Sequence, residues 1–180
     1  MRIGITALAL AAAATFASAP DALQWFRFRV GNYDMAGETA SIGATIKLFS
    51  SCVAGFYDSG GVKTGLNVIP AENLVKRRIF QDIQNMKNVG LLLVIDRDKS
   101  VVKDVRFIDM THAVAVVDED WFFAMQEYGT RKPLSGKKAN IITVRYFLRK
   151  VWGRWIVSEY EVYGRGDGMP PVDSARYGRW

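Results

Sequence analysis

The chain changes its hydrophobic period once and does not change back. Between Ser41 and Asn88 apolar residues recur at steps of three and four, whereas from Leu91 to Tyr163 they alternate or form short runs. A βαβ protein would return to the helical period after each strand. Helix, helix and then strands argue against a dinucleotide-binding fold and for an α+β fold, with two N-terminal helices packed on a curved antiparallel sheet of four or five strands.

The first helix is expected over about Ser41 to Tyr57, with Ile42, Ile46, Phe49, Val53 and Phe56 forming one buried stripe. Asp58-Ser59-Gly60-Gly61 ends it, because paired glycines accept the left-handed backbone that closes a helix. The second helix should run from Pro70 to about Asn88. Pro70 suits a first turn, Glu72 the positive end of the dipole, and Leu74, Val75, Ile79, Ile83 and Met86 the core. Leu91 to Ile95 reads as a strand, Asp96 to Ser100 as a polar turn, Val101 to Met110 as a second strand and Thr111 to about Met125 as a third. In the third, Asp118-Glu119-Asp120 marks a bulge. Gly129 to Ala139 is a basic hairpin loop. Asn140 to Trp152 and Trp155 to Tyr163 close the domain, joined by a Gly153-Arg154 turn with glycine at its first central position. The resulting organisation is a targeting segment over 1–19, an aromatic lead-in over 20–40, the folded domain over 41–163 and a Gly-, Pro- and Arg-rich tail over 164–180.

Compartment is written at the N-terminus. Arg2 precedes an apolar run from Ile3 to Phe16, and Ala17-Ser18-Ala19 follow, which is the grammar of a signal peptide on an exported protein. The run is short for a spanning helix, which needs roughly 20 apolar residues. Pro20 disfavours a cut after Ala19, and cleavage after Ala17 avoids it. An uncleaved anchor or an organellar lumen-targeting signal are the alternatives. A single cysteine, Cys52, excludes an intramolecular disulfide and a multi-cysteine metal site, and in an apolar helical stretch it acts as a small hydrophobe.

A formal net charge of +6 points to an acidic partner: other protein subunits, or an acidic membrane surface. Lys76-Arg77-Arg78 and Arg131-Lys132 with Lys137-Lys138 are too short for a nucleic-acid footprint, so no nucleic acid is expected. Both ends of the chain carry exposed-type aromatics beside arginine. Trp25, Phe26 and Phe28 in the lead-in, and Arg165, Arg179 and Trp180 in the tail, are the candidate partner-binding residues. The competing reading folds Trp25 to Arg29 back as an edge strand and leaves the tail disordered.

The closing hairpin, Ile142-Thr143-Val144-Arg145-Tyr146-Phe147-Leu148 through Trp152-Gly153-Arg154-Trp155-Ile156-Val157, resembles the end of nuclear transport factor 2-like domains, the cystatin-like cone superfamily. Leu48-Phe49 with Gly55-Phe56-Tyr57-Asp58-Ser59-Gly60 is similar to the first helix of that superfamily. The resemblance spans roughly Ser41 to Tyr163. Most members place a further helix between the early strands, and none can be placed here. That departure makes the chain look more like scaffold branches, such as the periplasmic core component of type IV secretion systems or the terminal domain of plastid-division proteins. In those branches the resemblance implies protein–protein assembly near a membrane, without chemistry and without a cofactor.

Other members of the superfamily are isomerases, dehydratases and hydrolases that use a His, Asp or Tyr inside the cone. His112 with Asp109, and Tyr146, are the residues that would serve such a role as small-molecule enzyme or ligand carrier. Asp109-Met110-Thr111-His112 equally reads as a turn whose polar side chains bond locally. One histidine and scattered carboxylates match no zinc site. Tyr146, Tyr160, Tyr163, Trp152 and Trp155 read as cross-strand aromatic pairs or as the lining of an apolar pocket.

Overall fold

A computed structural model describes residues 33–62, 65–164 and 169. Its order is α1 (Met35–Asp58), a 3-10 turn (Leu66–Val68), α2 (Asn73–Asn88), then β1 (Leu91–Phe107), β2 (His112–Glu127), β3 (Lys138–Val151) and β4 (Arg154–Gly164). The four strands form one antiparallel meander in the order β1-β2-β3-β4. The fold is therefore α+β with both described helices N-terminal to the sheet.

Helix α1 begins at Met35, six residues before the expected start at Ser41. Asp34 caps it, its carboxylate accepting from Gly37 N–H at 2.9 Å, and the residues from Met35 to Ala40 carry no apolar spacing, which is why periodicity missed them. The lead-in boundary at 40 thus falls inside a helix. Ile42, Ile46, Phe49, Val53 and Phe56 are all buried, as their spacing requires. At the far end Gly61 N–H donates to Phe56 O at 2.8 Å. Gly60 takes a φ of 64°, and a Cβ there would lie 2.7 Å from the Tyr128 ring.

Helix α2 starts at Asn73, three residues later than Pro70. Val157 N–H donates to Pro70 O and Glu72 N–H donates to Val157 O, both at 2.9 Å, so β4 captures Pro70 and Ala71 as an extended segment and delays the helix. The buried face is Val75, Ile79 and Ile83. Leu74 is instead 67% exposed, and Met86 is half-buried.

The largest departure is β1. The polar stretch expected to be a turn is strand, because an edge strand tolerates charges on its open side. Its extra residues are absorbed as bulges: Arg97 pairs with Trp121 and Lys99 with Asp120, and Val102 pairs with Val117 and Asp104 with Val116, leaving Asp98 and Lys103 over. The irregularity signalled by Asp118-Glu119-Asp120 therefore sits opposite them, on β1. At the closing hairpin Val151 pairs with Arg154, so the central turn residues are Trp152 and Gly153, not Gly153 and Arg154.

Antiparallel partners share a face, so one register assigns the core. Ala113, Ala115 and Val117 of β2, Val144, Tyr146 and Leu148 of β3, and Trp155 and Val157 of β4 point at the helices and are buried. Burying each large side chain among them contributes roughly 1.5–3 kcal/mol. By length and composition α1 is apolar enough to cross a membrane, but its apolar stripe is spent on this core.

Candidate functional site

The core face of β2 ends on an acid. Alternation through Ala113, Ala115 and Val117 carries Glu119 to the same side, where it is fully buried. Trp121 Nε1 donates to its Oε2 at 2.7 Å and the Tyr146 hydroxyl to its Oε1 at 3.1 Å. Ser50 Oγ on α1 lies 3.3 Å from Oε1, and Arg97 Nη1 approaches to 3.7 Å. Burial pushes the Glu119 carboxyl above its ordinary range, while these donors and the guanidinium oppose the shift. Burial, and then the charge of Glu119, raise the Tyr146 phenol well above its ordinary value. The cluster ties α1, β1, β2 and β3 together, and its acceptors are used by its own members.

Tyr146 and His112 do not meet. Tyr146 pairs with Ala115 on the core face, whereas His112 pairs with Arg149 and begins the opposite face. His112 Nδ1 lies 2.9 Å from Asp109 Oδ2, and Asp109 Oδ1 also accepts from Thr111 N–H at 2.6 Å and His112 N–H at 2.8 Å. Burial alone would raise the Asp109 pKa; the bonds from Thr111 and His112 outweigh it and hold the carboxyl below its ordinary value. A carboxylate at Nδ1 makes that nitrogen a donor, and Nε2 is buried and has no hydrogen-bond partner among the described residues. His112, Glu72, Arg78, Phe147, Arg149 and Glu159 line a cleft of about 450 Å³, in which Arg149 Nε bonds Glu72 Oε1 at 2.7 Å.

The closing hairpin separates its aromatics. Tyr146 and Tyr160 are cross-strand partners with ring centroids 6.4 Å apart, and Phe49 of α1 sits edge-on to Tyr146 at 5.9 Å. Trp155 is buried and donates through Nε1 to Glu38 Oε2 at 2.6 Å, beside Lys150, whose ammonium pairs with the same carboxylate. Trp152, at the turn, is 87% exposed. Next to the turn lies a groove of about 460 Å³ between α1, the 3-10 turn and the start of β4, with Leu48, Val68, Pro70, Lys76, Arg154 and Ile156 on its walls.

Trp25, Phe26, Phe28, Arg165, Arg179 and Trp180 lie outside the described residues, as do the targeting segment and the strand expected over Trp25 to Arg29. No group of three or more metal-ligating side chains is present among the described residues. Glu119 and Trp152 escaped sequence reasoning for different reasons. Alternation from Ala113 was a usable signal for Glu119; for Trp152 the signal was the turn register, which was one residue off.

No family model matches the chain, and no curated protein matches it. Solved structures do. The intermembrane-space region of the chloroplast protein ARC6 superposes with a TM-score of 0.58 at 12% identity, over 69% of this chain and 95% of that one. The two share a fold. An NTF-2-like protein of unknown function from Shewanella oneidensis matches at 10% identity over 69% of this chain and 98% of that one, with a TM-score of 0.39. A cystatin-like domain of unknown function from Nostoc punctiforme matches at 13% identity over 79% and 83%, with a TM-score of 0.38. The described fold is α+β with helices ahead of an antiparallel sheet, as the order of periods in the sequence implied.

Proposed function

We propose that this chain is a non-enzymatic binding or scaffold subunit of an exported, membrane-associated protein assembly. The observation that carries the reading is the state of the interior: α1 closes over the core face, and Glu119 spends its acceptors on Trp121, Tyr146 and Ser50. In the superfamily that the closing hairpin resembles, carriers and catalysts use that interior for their ligand. With the interior committed to packing, function falls to the outer surfaces. The apolar run of the 1–19 segment supports export, and the intermembrane-space origin of the ARC6 region agrees with a location outside the cytosol. The basic balance supports an acidic protein or membrane surface as partner. In this reading the lead-in residues Trp25, Phe26 and Phe28 and the tail residues Arg165, Arg179 and Trp180 contact other subunits, and the domain between them is the platform.

The test is native electrophoresis of the full chain, extracted from the membranes of its own host with mild detergent. Migration in a discrete species heavier than the monomer is expected. A chain found only as a soluble monomer would overturn the reading.

A second reading, a small-molecule isomerase, dehydratase or ligand carrier, draws on the His112–Asp109 bond beside the 450 Å³ cleft. Native mass spectrometry of the host-purified protein separates the two. A bound small molecule that is lost in His112→Ala would favour the carrier.

A further inference from the structure

Two features meet at the end of the β3–β4 hairpin. The first is Trp152. Both central turn residues have positive φ, 51° at Trp152 and 76° at Gly153, the pattern of a primed hairpin turn that favours Asn-Gly. A bulky side chain in the left-handed region is strained, and this one is 87% exposed, so neither the turn nor the core accounts for it. Strain held without a folding benefit points to use at the surface. The second feature is the adjoining groove. Leu48 and Val68 on its walls are 53% and 55% exposed, and its only charged lining residues are Lys76 and Arg154. Neither forms an ion pair among the described residues.

We infer that this groove receives an acidic segment of a partner subunit, whose apolar side chains seat on Leu48, Val68 and Ile156 while its carboxylates meet Lys76 and Arg154, with Trp152 closing over the bound segment. The inference rests on the scaffold reading and names one surface of it. Charge decides the occupant. A second copy of this chain, seated symmetrically, would bring the same cations together, and like charges across an interface are unfavourable. A bilayer would meet the projecting Trp152 but would leave a recessed volume of about 460 Å³ unfilled, whereas peptide side chains can fill it. The cleft at His112 offers no comparable case, since Arg149 is already paired with Glu72 and the free nitrogen of His112 is sealed from solvent.

The probe is a random-peptide display library panned on the purified full chain, with the selected pool then titrated against variants. Three results are expected. The pool is enriched in Asp and Glu beside apolar residues. Its binding weakens as salt rises, and Lys76→Glu, Arg154→Glu and Trp152→Asn each reduce affinity by roughly tenfold. Lys76→Glu and Arg154→Glu alter solvent-reaching side chains, and Asn suits the backbone at 152, so unchanged circular dichroism is expected for all three. A pool without acidic enrichment, or one indifferent to the charge reversals, overturns the inference. So does an outcome in which vesicles of phosphatidylglycerol and phosphatidylcholine bind the chain and compete with the pool, because a lipid surface would then be the occupant. The two readings fail separately. If the native complex persists in Lys76→Glu/Arg154→Glu and no acidic pool is found, the groove is wrong and the scaffold stands; if the pool is found but the chain is a monomer in its host, the reverse holds.

Discussion

The Tyr146 hydroxyl donates to Glu119 Oε1 at 3.1 Å beneath α1, so a phenol from β3 and an acid from β2 share the most enclosed polar site of the described fold. Burial raises the carboxyl of Glu119, against the pull of its donors and Arg97. A folded-state pKa above the unfolded value means that the fold favours the protonated acid. Its contribution to stability is then fully present below the ordinary carboxylate value and is lost as pH rises through the folded pKa. Glu119→Gln has no such proton. Thermal melts of both proteins from acid to neutral pH should show the wild type losing stability relative to Glu119→Gln as pH rises. A constant difference between the two curves would contradict the assignment.

At a pH above the folded pKa of Glu119, where the acid is ionised, Tyr146→Phe should cost about 2 kcal/mol, because it removes a donor to a buried charged acceptor and leaves the ring in place. In the Glu119→Gln background the same change should cost only about 1 kcal/mol, the value for a neutral bond. Urea unfolding of the four proteins in this cycle gives the coupling. Equal costs in both backgrounds would mean that the hydroxyl finds its partner elsewhere.

Two carboxylates near the ends of the helices should differ in weight. Glu38 pairs with Lys150, whose side chain is 4% exposed, and also accepts from Trp155 Nε1; Glu72 pairs with Arg149, which is 46% exposed. Glu38→Ala strands a buried ammonium and should destabilise by about 3 kcal/mol. Glu72→Ala breaks a pair open to solvent and should cost less than about 1 kcal/mol. Chemical denaturation of the two variants checks the order. Similar costs would mean that Lys150 relaxes to solvent when its partner is removed.

The sequence was legible where one signal had no competitor. Ile42, Ile46, Phe49, Val53 and Phe56 could only be a helical stripe, and Gly60-Gly61 could only end it, so α1 was found from its core face and its C-terminus. Its first six residues carry no apolar spacing, and Asp34 was the sole cue. Pro70 satisfied a helical rule and was overruled by pairing with Val157, a tertiary contact that no local pattern encodes. Asp96 to Ser100 looked like a turn because polarity cannot distinguish a loop from a charged strand edge with a bulge at Asp98. At the site level the local bond of His112 to Asp109 was foreseeable from their spacing. That Tyr146 sits on the other face follows from register, which depends on the partner strand.

The last prediction concerns Trp152. At a φ of 51° its Cβ lies in a region that costs an ordinary residue roughly 1–2 kcal/mol, and an 87% exposed side chain regains little of that by burial. Asn is favoured at this position of a primed turn, since its short polar side chain tolerates the left-handed conformation. Trp152→Asn should therefore stabilise the isolated protein by about 1 kcal/mol, while Trp155→Phe, which removes the buried donor to Glu38, should destabilise it by a similar or larger amount. Differential scanning calorimetry of both variants reads the signs directly. A loss of stability in Trp152→Asn would show that the indole packs on its own hairpin, and its exposure would no longer argue for a role at the surface.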